Sequence, residues 1–394
     1  MPKIRLIKLR SAMAAQDPTL RDEAEAFLKE LDPNGELTFT EEKDALPVFF
    51  VLTGGSEMYF HDLYARYDAP YFIMPLGIRN SFAASLEIQS FLKGLGLPTK
   101  FLYGDKKQML ETLKLYASAY AIKAHLKGKK IALIGGPSEW LISSQTEQKL
   151  IKSKLGVNLI KISTAELERE IDRHVILDEE SFHAMRRRTR RDDALRGSFY
   201  IYSALTAVAK KHKLDGFSLR CFDLLKKYQN TSCLAFGFLN DRGILASCEG
   251  DIPSLLTMLV LKELTGEPSF MANPEKFDTA KQEAIYAHCT CPFSMVTSYR
   301  LMTHYESGMG FGIRGKFKES EVTMAKFSPN LDRFVVKEGK ILANLEENDY
   351  CRSQIQVSFG EGISDLIENP AGNHMLFAYG SHKAILDAFF ELLA

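Results

Sequence analysis

Residues 244–258 read ILASCEGDIPSLLTM. The first five form a short apolar run, the last seven open an apolar segment of helical length, and Glu249, Gly250 and Asp251 stand between them. Strand, acidic glycine-containing loop and helix is the pattern of a buried parallel strand that delivers its carboxyl end to a crevice. Two carboxylates at such a junction are costly in a core and useful in a site.

The same unit recurs on both sides of this stretch. Next to it come an amphipathic helix (198–213), a strand GFSLRC (216–221), helices at about 224–239 and 252–265, and a strand AIYAHC (284–289). Upstream, strands at 4–9, 47–53, 70–76, 130–136 and 158–163 alternate with helical patterns at 22–31, 81–95 and 106–126. Such alternation predicts parallel α/β layers. VFFVLTGGSE (48–57) and IALIGGPSEW (131–140) both run from a strand into Gly-Gly, and neither matches a dinucleotide or phosphate-loop fingerprint, so they read as the switch-point loops of two successive α/β domains.

After Pro292 the texture becomes alternating and strand-rich, in SMVTSYRL, KESEVTMAKF, DRFVVKEGKILANL and SQIQVSF, before a last helix KAILDAFFELL (383–393). The expected fold is α/β: two Rossmann-like parallel domains, 1–127 and 128–292, followed by a β-rich, barrel-like domain with a closing helix, 293–394.

The chain has 394 residues, with Lys+Arg and Asp+Glu both 50, so there is no net pull toward nucleic acid or an anionic membrane. RRRTRRDD (186–193) lacks interleaved aromatics and reads as a solvated helix face. No secretory leader or spanning apolar run is visible, and six sparse cysteines suit reduced thiols, so a cytoplasmic setting is expected.

Asp223 follows the strand 216–221 and Glu249 follows the strand 244–248, which places two acids on one sheet edge. Burying both is costly unless a cation stands between them, and oxygen donors with one imidazole suit Mg²⁺ or Mn²⁺. His288, His304 and His374 are the candidate imidazoles, with His374, in the loop PAGNH, placed first. Singly, Asp223 also reads as a helix N-cap and Glu249 as a first-turn acid.

At this point the sequence resembles the L-fucose isomerase and L-arabinose isomerase superfamily. The resemblance is carried by RCFDLL (220–225), LNDRGILASCEGDIPSLLTM (239–258), LTGEPSFM (264–271), AHCTCP (287–292), HYESG (304–308) and AGNHMLFAYGSH (371–382), with RNSFAASLE (79–87) and GGPSEW (135–140) upstream. It implies a metal-dependent aldose–ketose isomerase of carbohydrate metabolism. Mn²⁺, or Mg²⁺ or another divalent cation, would be held by Asp223, Glu249 and His374, and the two acids would move protons across an enediol. Asp223 stands where the fucose-type pattern has Glu, Asn273 stands where many relatives carry an acid, and MANPEKF (271–277) has no histidine.

Trp140, His288, His304 and Arg352 are the candidate sugar-binding residues, beside Asp251. The partners implied are a small-molecule sugar and further copies of the chain, as a trimer or hexamer, with neither nucleic acid nor membrane. A non-catalytic sugar-binding or regulatory protein, or a metal-dependent epimerase or aldolase, would fit the same scaffold.

Overall fold

The computed structural model describes residues 1–393. It divides into two compact units, Met1–His125 with the segment from Ala384 onward, and Leu126–Lys383.

The first unit is built on a parallel sheet of β1 (Lys3–Leu9), β2 (Thr38–Phe39), β3 (Leu46–Val51), β4 (Tyr71–Pro75) and β5 (Thr99–Phe101), in the order β2-β1-β3-β4-β5. Its middle strands are continuous apolar runs because both faces are covered. Phe49, Val51 and Ile73 pack with Ile88 and Leu92 of the helix Ser81–Gly94. The last helix, Lys383–Glu391, is expected with the β-rich region and instead falls largely within this unit. Tyr116 donates to Glu391 at 2.5 Å, and Lys123 donates to the Leu392 carbonyl at 2.7 Å.

The second unit opens with a parallel sheet of β6 (Lys130–Ile134), β7 (Asn158–Ile162), β8 (Gly216–Leu219) and β9 (Leu245–Cys248), ordered β7-β6-β8-β9. The rungs Ile134–Leu219 and Leu219–Cys248 level the carboxyl ends of three strands. The loops GGPSEW, RCFD and CEGD therefore leave one edge together. The single helix expected over 224–239 is two, Phe222–Tyr228 and Cys233–Asp241. The break is at buried Asn230, whose carboxamide bonds the Ala194 carbonyl (2.7 Å), the Ser198 hydroxyl (3.0 Å) and the Thr231 N–H (2.8 Å) in place of helix continuation.

Downstream come β10 (Phe270–Asp278), β11 (Glu283–His288), the antiparallel pair β12 (Val296–Met302) and β13 (Gly312–Phe317), then β14 (Glu321–Phe327), β15 (Phe334–Asn344), β16 (Ser353–Ser358) and β17 (Met375–Tyr379). Six of these close a barrel in the order β10-β11-β16-β15-β14-β17. The barrel thus starts at Phe270, ahead of the expected boundary at 293. β10 carries Asn273-Pro274 within its span, and its register with β11 shifts just after, between Pro274 and Lys276.

Register sets the rim that matters. Ser353 pairs with His288, Ala287 with Asn273, and Ala272 with Met375. The start of β16, the end of β11, Asn273 on β10 and the start of β17 therefore share one end of the barrel.

Candidate functional site

At the sheet edge two loops meet at close range. Gly250 has φ +76°, and a Cβ there would stand 2.5 Å from Pro137 Cα. The Ser138 N–H donates to the Glu249 carbonyl at 2.8 Å. Glu249 itself has φ +65°, a left-handed conformation that costs a non-glycine residue on the order of 1–3 kcal/mol and is held only where surrounding contacts fix it. Its Oε2 accepts the Trp140 indole N–H at 2.7 Å. Trp140 is half exposed and stands edge-on to Phe222 at 5.0 Å, and Phe222 stands edge-on to His304 at 5.6 Å.

Beneath Glu249 lies a fully buried charge network. Asp251 caps the helix Ile252–Thr265, accepting the Ser254 N–H and hydroxyl at 2.8 Å each. It also receives Lys326 Nζ at 2.8 and 3.1 Å and faces His374 Nδ1 at 2.8 Å. Asp251, Lys326 and His374 are all 0% exposed. Burial alone would raise the Asp251 pKa, but the Lys326 ammonium and the His374 ring outweigh it and hold the carboxyl well below the usual range.

An ionised Asp251 only accepts, so the network assigns the His374 proton to Nδ1 and leaves the Nε2 lone pair facing outward. That Nε2 is buried without a hydrogen-bond partner, 4.0 Å from Glu249 Oε1. One strand away, Asn273 Oδ1 is also buried and without a partner. The His288 ring stands 5.7 Å from that of His374. Burial, then the neighbouring His374 and His304, push the His288 pKa down to about 3, so His288 is neutral.

No family model matches the chain. Sulfoquinovose isomerase of Priestia aryabhattai is 25% identical over 310 residues, covering 73% of this chain and 68% of that protein. Sulfoquinovose isomerase of Clostridium sp. (strain MSTE9) is 24% identical over 342 residues, covering 80% and 75%. That of Alkalicoccus urumqiensis is 22% identical over 281 residues, covering 67% and 63%. The chain is thus distantly similar, over most of its length, to proteins of one name.

The structure brings Glu249, His374 and Trp140 together, with His288 beside them. Asp223 is placed otherwise. It lies in the first turn of the helix Phe222–Tyr228, and its Oδ1 takes the Arg220 Nε–H at 3.2 Å. Arg220 reaches on to Glu139 at 2.9 Å and to the Pro137 carbonyl at 3.3 Å. Among the described residues no three His, Cys, Asp or Glu side chains stand as a ready cation cage. His304 turns to Ser307 Oγ at 3.0 Å, and Arg352 bonds the Thr303 carbonyl at 2.7 Å.

Glu249 Oε1 and His374 Nε2, an oxygen and a nitrogen donor that face one another, could share a divalent cation. A separation of 4.0 Å between Glu249 Oε1 and His374 Nε2 is about twice a metal–ligand bond of ~2.0–2.2 Å. Asn273 Oδ1, at the same end of the barrel, is a neutral oxygen of the kind hard cations take. Sequence reasoning missed Lys326 and Asn273 as site residues. The available signal for Lys326 was a lysine inside the buried strand EVTMAKF.

Proposed function

We propose that the chain is a cation-assisted aldose–ketose isomerase acting on a free sugar. The observation that carries this reading is the buried, unpartnered His374 Nε2 facing the Glu249 carboxylate at 4.0 Å. The distant relatives named sulfoquinovose isomerase support an isomerase and point to a sulfonated hexose as substrate.

Mn²⁺ is assigned to Glu249, His374 and Asn273, with Asp223 joining only on leaving Arg220. When bound, the cation supplies Lewis-acid stabilisation of the negative charge that builds on the sugar oxygens. Glu249 is the proton carrier. Trp140 holds Oε2 through its indole N–H, so that Oε1 faces His374, and the carboxylate takes a proton from the carbon beside the carbonyl and returns it to the carbonyl carbon while the hydroxyl proton passes between the two sugar oxygens. Asp251 and Lys326 hold His374 in the tautomer with Nε2 free. His288 accepts the Thr290 N–H on Nδ1 at 3.3 Å, so its own proton sits on Nε2 as a donor for a sugar hydroxyl. Assembly as a homotrimer or homohexamer is part of the same proposal.

A non-catalytic sugar-binding protein is the second reading, favoured by one observation: Asp223, expected as the other proton-moving acid, is held by Arg220. One experiment separates the two. Purified protein with Mn²⁺ is incubated with a panel of aldoses, including sulfoquinovose, and ketose is measured. Conversion that drops ~10²–10⁴-fold in Glu249→Gln supports the isomerase. Sugar binding without turnover supports the second reading.

A further inference from the structure

The barrel rim continues past the proposed reaction centre. From His374 before β17 it passes Asn273 on β10 and His288 at the end of β11, and reaches Arg352, the residue before β16. Three strand spacings separate the two ends, about 14 Å along the rim.

Arg352 is only partly buried and enters no ion pair among the described residues. Its basic neighbours do: Arg314 and Arg300 share Glu346, and Arg220 takes Glu139 and Asp223. One edge of the Arg352 guanidinium is clamped, Nε to the Thr303 carbonyl at 2.7 Å and Nη2 to the Thr303 hydroxyl at 3.3 Å. Tyr305 lies under it, 5.5 Å from ring centroid to guanidinium carbon. The Nη1 side carries no hydrogen bond. His304 adds no like charge beside it, because burial and then the Arg352 charge lower its pKa. A guanidinium fixed along one edge, open along the other and lacking a carboxylate is a fork for an external anion. The wall between the two ends is aromatic, Trp140 to Phe222 to His304, suited to the carbon chain of a sugar.

We infer that Arg352 is the specificity-determining residue that receives a fixed negative charge, a sulfonate, at the end of the sugar remote from Glu249. This rests on the isomerase reading above and adds the residue that selects the sulfonated substrate.

The test uses sulfoquinovose and D-glucose, which differ only at C6, with the Mn²⁺-loaded full-length protein. The readout is the ratio of kcat/KM for the two sugars. In Arg352→Gln the ratio falls about 10- to 100-fold, the scale of one charge-assisted hydrogen-bond set, chiefly through the KM for sulfoquinovose. Arg352→Lys recovers part of it. Equal losses for both sugars, with the ratio held, would make Arg352 a mere clamp on the loop 303–309 and overturn the assignment, as would a wild-type protein indifferent to the sulfonate.

If neither sugar is converted, the isomerase reading fails and the assignment is judged by calorimetry alone. Sulfoquinovose binding weakened about tenfold or more by Arg352→Gln keeps it. Unchanged binding, or none to the wild type, removes it.

Discussion

His374 Nδ1 lies 2.8 Å from Asp251 Oδ2, and neither residue has any exposed surface. The contact is sound because Lys326 neutralises the carboxylate from the other side. Truncating one partner of such a buried pair leaves an uncompensated charge. Lys326→Met is expected to lower unfolding free energy by about 3–5 kcal/mol in urea titrations. The double variant Lys326→Met/Asp251→Asn, which removes both charges, should lose less than the sum of the two single changes.

The same cluster sets an acid limit. Free imidazole takes a proton near pH ~6.5. Folded His288 resists until about pH 3, chiefly because it is buried. The unfolded chain therefore binds the extra proton across that window, and stability falls as pH drops through it, by up to about 1.4 kcal/mol per pH unit. Asp251 acts lower down. Its contribution is full above the ordinary carboxylate value of ~3.9 and is lost as pH falls toward its depressed folded value. His288→Gln should flatten the upper limb of a stability-against-pH curve and leave the lower one.

Gly250 brings the CEGD loop against the GGPSEW loop. In Gly250→Ala the new methyl would meet Pro137 Cα at 2.5 Å and the Gly136 carbonyl oxygen at 2.6 Å, at a φ of +76°. Both are backbone atoms, so the loops must part and Glu249 must shift. A stability loss of about 1–3 kcal/mol is expected. Turnover should fall by more than stability explains, as seen in kcat at a temperature where the variant is fully folded.

The proposed cation makes different demands on Asn273 and Asp223. Asn273→Leu should weaken Mn²⁺ binding in calorimetry by tenfold or more, and Asn273→Asp should strengthen it by adding a charged oxygen. Asp223→Asn should change it little, since that carboxylate is committed to Arg220. A Mn²⁺ affinity that collapses in Asp223→Asn would return the cation to the set expected from sequence.

Alternating strand and helix patterns are local, and for that reason the parallel sheets, most barrel strands and the junction at Glu249 could be read directly. What escaped depends on partners distant in sequence. The helix expected over 224–239 breaks because Asn230 finds Ala194 and Ser198, which no window around it reveals. Asp223 is a separate case: its partner Arg220 is only three residues away, and the side-chain reach that brings the two together is not encoded in periodicity. His374 was legible as a loop histidine near the site. Its orientation was not, since that depends on Asp251 and Lys326 meeting it from two other elements.

The helix Lys383–Glu391 completes the first unit, although everything between Leu126 and Lys383 belongs to the second. The amino-terminal unit therefore needs the last residues of the chain before it is complete, which sets it apart from the usual amino-terminal-first order. The continuous second unit can reach its final form while the first still waits for its closing piece.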